Sequence, residues 1–132
     1  MVVWDTDVAS LTHKRRVPPA LVTRLVGTYP LITFITPGES TKWAEARHWS
    51  QRTRGELARW LSTLPVLQGD EDVAITWGRL SAAAMRRGRP RPVNDTWIAA
   101  CCLTHEIPLA TLNVKDFKDF QTHHGLELIT AY

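Results

Sequence analysis

Val2-Val3-Trp4-Asp5-Thr6-Asp7 is a short apolar run that stops at two acids. An uninterrupted apolar run of this length reads as a buried strand, with polar residues emerging at its carboxyl end. The same pattern recurs along the chain. Leu31-Ile32-Thr33-Phe34-Ile35 is rich in β-branched and aromatic residues and reads as a second strand, closed by Pro37-Gly38. Pro65-Val66-Leu67, Pro108-Leu109-Ala110-Thr111 and Leu126-Glu127-Leu128-Ile129 are three shorter strand candidates. Between them lie helical stretches. One begins at Val8, with Asp7 as its expected cap, and another follows Pro18-Pro19 and stops at Gly27. A third runs from about Glu39 through Trp43 to Ala46, and a fourth carries Leu57, Trp60, Leu61 and Leu64 at helical spacing. Asp70-Glu71-Asp72 starts the next, where negative charge suits the helix dipole; Val73, Trp77, Leu80 and Ala84 mark its buried face. Asn94 is the expected cap of a helix containing Ile98-Ala99-Ala100-Cys101-Cys102-Leu103, apolar nearly all round and therefore central.

Strands alternating with helices argue for an α/β fold with helices on both faces of the sheet. The expected architecture is a three-layer α/β/α sandwich around a central, mainly parallel sheet of four to five strands. Ligands of such folds bind beyond the carboxyl ends of the strands. At 132 residues and 14.9 kDa the chain has the size of one domain, spanning 1–132. With 44% hydrophobic and 22% charged residues it has a globular composition. No apolar run approaches the ~20 residues needed to span a bilayer, and the first residues lack a signal-peptide pattern, so no membrane association and a cytoplasmic location are expected. Cys101 and Cys102 are adjacent and make no disulfide framework; burial as small apolar residues is expected.

Four acids fall where chemistry is expected. Asp5 follows the first strand, Glu39 the second, and Asp116 follows Leu109-Ala110-Thr111 after a short turn; Asp95 lies in the first turn of the central helix. Each has an ordinary explanation alone, because Asp and Glu are favoured in first helical turns. Together they form a cluster of like charge that needs a counter-charge, and a hard divalent cation with oxygen ligands supplies one. The histidines lack zinc-ligand spacing. Mg2+ is the expected cofactor, with Mn2+ as a substitute.

The same residues carry a family resemblance. Val3-Trp4-Asp5-Thr6-Asp7, Thr36-Pro37-Gly38-Glu39, Val93-Asn94-Asp95-Thr96-Trp97-Ile98-Ala99-Ala100 and Leu109-Ala110-Thr111-Leu112-Asn113-Val114-Lys115-Asp116-Phe117 resemble the motifs of PIN-domain ribonucleases, in particular VapC-type toxins of bacterial toxin–antitoxin pairs. The last two motifs are the more specific, and the resemblance covers nearly the whole chain. It implies a PIN-like fold, metal-dependent cleavage of RNA (transfer RNA by analogy), and inhibition by a VapB-type antitoxin. It also implies that Asp5, Glu39, Asp95 and Asp116 are the catalytic, metal-holding quartet, with Thr6, Thr111 and Asn113 in support. Two departures stand out. Asn113 occupies a position where many relatives carry another acid. The segment around Glu39 is unusually polar, which leaves Glu45 as a rival for its role.

Net charge is +3, and basic residues concentrate in Arg86-Arg87-Gly88-Arg89-Pro90-Arg91-Pro92. Arg86, Arg87, Arg89 and Arg91 read as an RNA-backbone contact or as a solubilising loop. Among six tryptophans, Trp60 and Trp77 fall on apolar stripes and are expected in the core; Trp97 reads as buried or as a wall of the site. Trp43 or Trp49 is a candidate for an antitoxin or homodimer interface, and a homodimer is expected. Lys115 reads as a solvated side chain. Two other functions fit parts of the sequence. Asp5-Thr6-Asp7-Val8 with Gly69-Asp70-Glu71-Asp72 resembles a haloacid-dehalogenase-type phosphatase. Alternatively, the chain is a non-catalytic basic RNA-binding module whose acids merely cap helices.

Overall fold

The computed structural model describes residues 1–132. In chain order the elements are β1 (Val2–Trp4), α1 (Thr6–His13), α2 (Pro19–Leu25), β2 (Pro30–Thr33), α3 (Ile35–Ala46) and α4 (Gln51–Leu61). There follow β3 (Val66–Leu67), α5 (Glu71–Arg86), α6 (Val93–His105), β4 (Leu109–Ala110), α7 (Val114–His124) and β5 (Leu128–Ile129). The five strands form one sheet in the order β3-β2-β1-β4-β5, and every pairing is parallel. The chain builds outward from β1 to β3 on one side, then crosses back to β4 on the other. The strand order therefore reverses between β1 and β4, and a crevice opens there at the carboxyl ends.

The two-residue period of β1 divides the core. Val3 faces a large cluster with Leu31 and Leu109 of the neighbouring strands, Val73 and Leu80 of α5, Ile98 of α6, and Phe117 and Phe120 of α7. Val2 faces a smaller cluster with Val8 and Leu21 from α1 and α2, and Ala110. α6 is the central helix, as its apolar circumference requires: Ile98, Ala99, Ala100, Cys101 and Cys102 are all buried. Both thiols are free, and burial pushes that of Cys101 up to about 12, so neither is primed to react. No helix is long and apolar enough to cross a membrane.

Several local expectations are corrected. α1 starts at Thr6, and its cap is Asp5 rather than Asp7. α3 starts at Ile35, so Pro37-Gly38 lies inside the first helical turns instead of ending the strand. Proline is tolerated there because first-turn N–H groups have no intrahelical partner to lose. Glu39 is consequently in the second turn of α3. Pro92, not Asn94, precedes α6, and it provides no side-chain cap. Trp60 is only half-buried: it stacks on Trp4 with centroids 6.2 Å apart and meets His13 in a tilted contact at 5.1 Å. α4 has no buried residue at all. Its Leu57 and Leu61 instead border an open cavity of about 420 Å3 against α3. Trp77 is half-buried too, stacked at 5.0 Å on Trp97, which in turn meets Phe34 edge-on.

Candidate active site

Asp5 leaves β1 at the reversal point and turns the chain into α1. Its Oδ1 accepts the Val8 backbone N–H at 2.8 Å, and its Oδ2 accepts the Thr111 hydroxyl at 2.5 Å from just beyond β4. The Asp5 backbone N–H donates to the Ala110 carbonyl, which ties the two strand ends together. The ordinary reading of Asp5 as a helix cap is thus correct, and the carboxylate also stands in an acidic cleft. That cleft, about 190 Å3, is lined by Asp5, Thr6, Asp7, Glu39, Trp43, Asp95, Asn113 and Asp116, with Ile98 and Phe117 as its apolar part.

Four elements converge on it. α3 brings Glu39, whose Oε1 accepts the Thr6 hydroxyl at 2.7 Å. Thr6 has one proton and gives it to Glu39, so the Thr36 hydroxyl, 3.0 Å away, must donate to Thr6. Thr36 is a buried support that the sequence reading missed. The first turn of α6 brings Asp95, and the first turn of α7 brings Asp116. Neither carboxylate accepts a hydrogen bond from the protein. Thr111 is fully buried; beyond bonding Asp5, its oxygen accepts the Asn113 N–H at 2.9 Å and shapes the turn into α7.

Asn113 and Asp7 form a pair. The amide of Asn113 donates to Asp7 Oδ2 at 2.6 Å. Asp7 is therefore a fifth acid of the cleft, not a cap. Its partner is 106 residues away in sequence, so no local pattern announces it. Glu45 is not a rival for Glu39: it lines the cavity between α3 and α4 and pairs with Arg54 at 2.6 Å.

The electrostatics follow from this packing. None of the five cleft acids has an ion-paired cation. Burial, with smaller repulsion from Asp7 and Asp95, pushes Asp5 up to about 7 against the favourable bonds from Thr111 and Val8. Burial, then repulsion from Asp116 and Glu39, pushes Asp95 up to about 6. Arg91 opposes that rise. Such a set of hard oxygen donors suits a divalent cation. No three His, Cys, Asp or Glu side chains stand at the mutual distances of a closed metal cage. An open arrangement is compatible with Mg2+, which keeps several of its waters and takes only one or two carboxylates directly.

The arginine segment does not form a single free patch. Arg91 and Arg89 both reach Asp119 of α7, at 3.2 and 3.7 Å. Arg87 is half-buried, with Nε and Nη2 unpartnered near the end of α7, where its charge helps hold His124 below its usual range after burial. Only Arg86 is both exposed and unpaired. Lys115 is exposed. Asp70, the second half of the phosphatase pattern, caps α5 through the Val73 N–H, and residues 69–72 do not line the cleft.

No family model matches the chain. Among curated proteins it is 27% identical over 118 residues to Ribonuclease VapC1 of Haemophilus influenzae, covering 86% of this chain and 87% of that protein. It is 35% identical over 69 residues to Ribonuclease VapC5 of Mycobacterium tuberculosis, covering 52% and 48% respectively. Among solved structures, VapBC-1 from nontypeable Haemophilus influenzae matches with a TM-score of 0.79 and 25% identity, covering 99% of this chain and 98% of that one. VapBC2 from Rickettsia felis, bound to a promoter DNA fragment, shares the fold with a TM-score of 0.81 at 19% identity, covering 98% of both chains. Along nearly its whole length, then, the chain is similar in sequence to VapC ribonucleases and in fold to VapBC structures, and it carries an acid cluster at the reversal point of a five-stranded parallel sheet.

Proposed function

We propose that this chain is the ribonuclease toxin of a toxin–antitoxin pair, an endoribonuclease that works with a bound divalent metal ion. The observation that carries the reading is the convergence of mutually repelling carboxylates, Asp5 buried and the others partly so, none of them in an ion pair. The names of the relatives and the VapBC complexes among the structural neighbours support the ribonuclease and the VapB-type partner. A helix-cap role alone leaves Glu39, Asp95 and Asp116 unexplained, since none of them caps a helix.

When bound, Mg2+ or Mn2+ supplies Lewis-acid stabilisation of phosphate charge and eases deprotonation of water. Asp5, Glu39, Asp95 and Asp116 are the residues that hold it, directly or through water. Val8 and Thr111 fix the Asp5 carboxylate, leaving one lone pair on each oxygen. Thr6, held in turn by Thr36, fixes Glu39. Asp95 and Asp116 keep all their acceptor capacity. Asp7, bonded to Asn113, adds negative charge at the rim. Single-stranded or looped RNA fits this open site better than a duplex, because its bases and backbone can splay into a cleft.

Cleavage of RNA by the purified chain, with and without chelator, tests the reading. Asp95→Asn and Asp116→Asn should each abolish cleavage while leaving the fold intact. Undiminished cleavage in chelator, or by both variants, would overturn it. Expression with the neighbouring reading frame should yield a tight complex with low nuclease activity.

A further inference from the structure

α3 presents three side chains in register along one face. Glu39, Trp43 and Arg47 are spaced four residues apart, so each lies about 6 Å further along the helix. Glu39 and Trp43 both line the acid cleft. Arg47 does not; its guanidinium lies over the Trp43 ring, 5.6 Å from the centroid. Trp43 thus borders the cleft while its ring is also in contact with a guanidinium that lies outside the cleft lining.

Trp43 differs from the chain's packing tryptophans. The indole nitrogens of Trp4 and Trp77 are sealed from solvent without partners, and those rings stack on Trp60 and Trp97. Trp43 stacks on no aromatic ring of the chain. It is half-buried, and its neighbours Lys42 and Arg47 are exposed. A large aromatic surface, left open beside a cluster of carboxylates and braced by a guanidinium, is poorly explained by packing. It is well explained by a flat apolar ligand that carries negative charge on either side.

Building on the ribonuclease reading, we propose that Trp43 is the stacking platform for one nucleobase next to the scissile phosphate, and that Arg47 meets the following phosphate. The base lies on the cleft side of the indole, while Arg47 braces the ring by its cation–π contact and remains exposed to the backbone. The ridge from Glu39 to Arg47 then leads the strand out of the cleft. Stacking accepts any base, so this contact sets register and affinity rather than sequence.

Single-turnover cleavage of an end-labelled, single-stranded oligoribonucleotide tests this, with Mg2+ present and protein concentration varied. Trp43→Ala should raise the half-saturating concentration about tenfold and leave the maximal rate within a few-fold of wild type. Trp43→Phe keeps a ring and should stay close to wild type. An RNA lacking one base beside the cleavage site should weaken wild type by the same factor and cost Trp43→Ala nothing further. Arg47→Ala should reduce the salt dependence of half-saturation by about one phosphate contact, a slope change of about 0.7. Equal half-saturation for wild type and a folded Trp43→Ala overturns the proposal. Equal sensitivity of both proteins to the missing base does so too, as does a Trp43→Ala defect confined to capture of the antitoxin, which would make the ridge a protein interface. If wild type itself cleaves no RNA with either metal, the ribonuclease reading fails first and this one falls with it.

Discussion

Removing the charge of Asp95 should stabilise the metal-free protein, by an amount that grows above about pH 4 and is complete above about pH 6. The folded-state pKa of Asp95 is raised from 3.8 to about 6. Between those values the folded protein binds a proton that the unfolded chain has released, so stability falls as pH rises through the window. The penalty is absent below about pH 4 and complete above about pH 6. At about 1.4 kcal/mol per pH unit the displacement corresponds to roughly 3 kcal/mol. Water on the open side of the cleft screens part of this, and the charge also gains ~0.5 kcal/mol from the α6 dipole that the amide forfeits. A net gain of about 1 kcal/mol remains, or about 4 °C in Tm for a chain of this size. Asp95 accepts no hydrogen bond from the protein, so Asn leaves no partner stranded. Thermal melts in chelator should show the Asp95→Asn advantage growing from near zero at about pH 4 to its full value at about pH 7.5. Asp95→Ala is the control for any local helix effect. Added Mg2+ should then raise wild type by more than the variant, by about 2.7 kcal/mol at a hundredfold excess over Kd. A variant less stable than wild type at high pH in chelator, or a difference that does not change with pH, would refute the argument.

Asp5, raised from 3.8 to about 7 by burial, extends the loss of metal-free stability to about pH 7, which a denaturant titration of wild type across that range checks. Asn113→Asp should destabilise the metal-free protein by about 1–2 kcal/mol, because it sets a carboxylate against Asp7 where an amide now donates at 2.6 Å; adding Asp7→Asn should restore stability in urea melts, and failure to do so would break the pairing. Arg91→Ala should cost about 1–2 kcal/mol, because its bond to the largely buried Asp119 is lost, whereas Arg86→Ala should leave stability unchanged. Salt titrations of RNA binding would show which of the two also contacts phosphate. Gly69→Ala should lower Tm, since a Cβ there would lie 2.8 Å from the Phe34 ring that packs on Trp97.

The periodicity of apolar residues is a local property, and it was enough to establish the alternation of strands and helices, the central position of α6 and the acids at the strand ends. Short apolar runs such as Val2-Val3-Trp4 and Leu31-Ile32-Thr33 read as buried strands, and their alternation with amphipathic helical stretches makes the α/β layering legible. Helix starts were less so. Pro37-Gly38 looks like a stop, yet Pro37 falls in the turn where a missing N–H costs nothing, and α3 begins at Ile35. Trp60 is half-buried despite its place on an apolar stripe, because such a stripe says which face turns inward, not whether anything covers it. In α4 that face meets an open cavity.

What only the tertiary structure decided are the contacts between distant segments. The reversal of strand order sets the end of β1 beside the end of β4, and this brings Thr111 to Asp5 and Asn113 to Asp7. Tertiary packing likewise pairs Glu45 with Arg54, away from the cleft lining, and ties Arg89 and Arg91 to Asp119. The sequence by itself determined which residues carry charge and roughly where each strand ends. It did not determine which charges face one another or whether water reaches them. Those two distances, to the nearest like charge and to solvent, are what raise Asp5 and Asp95 above the usual carboxylate range.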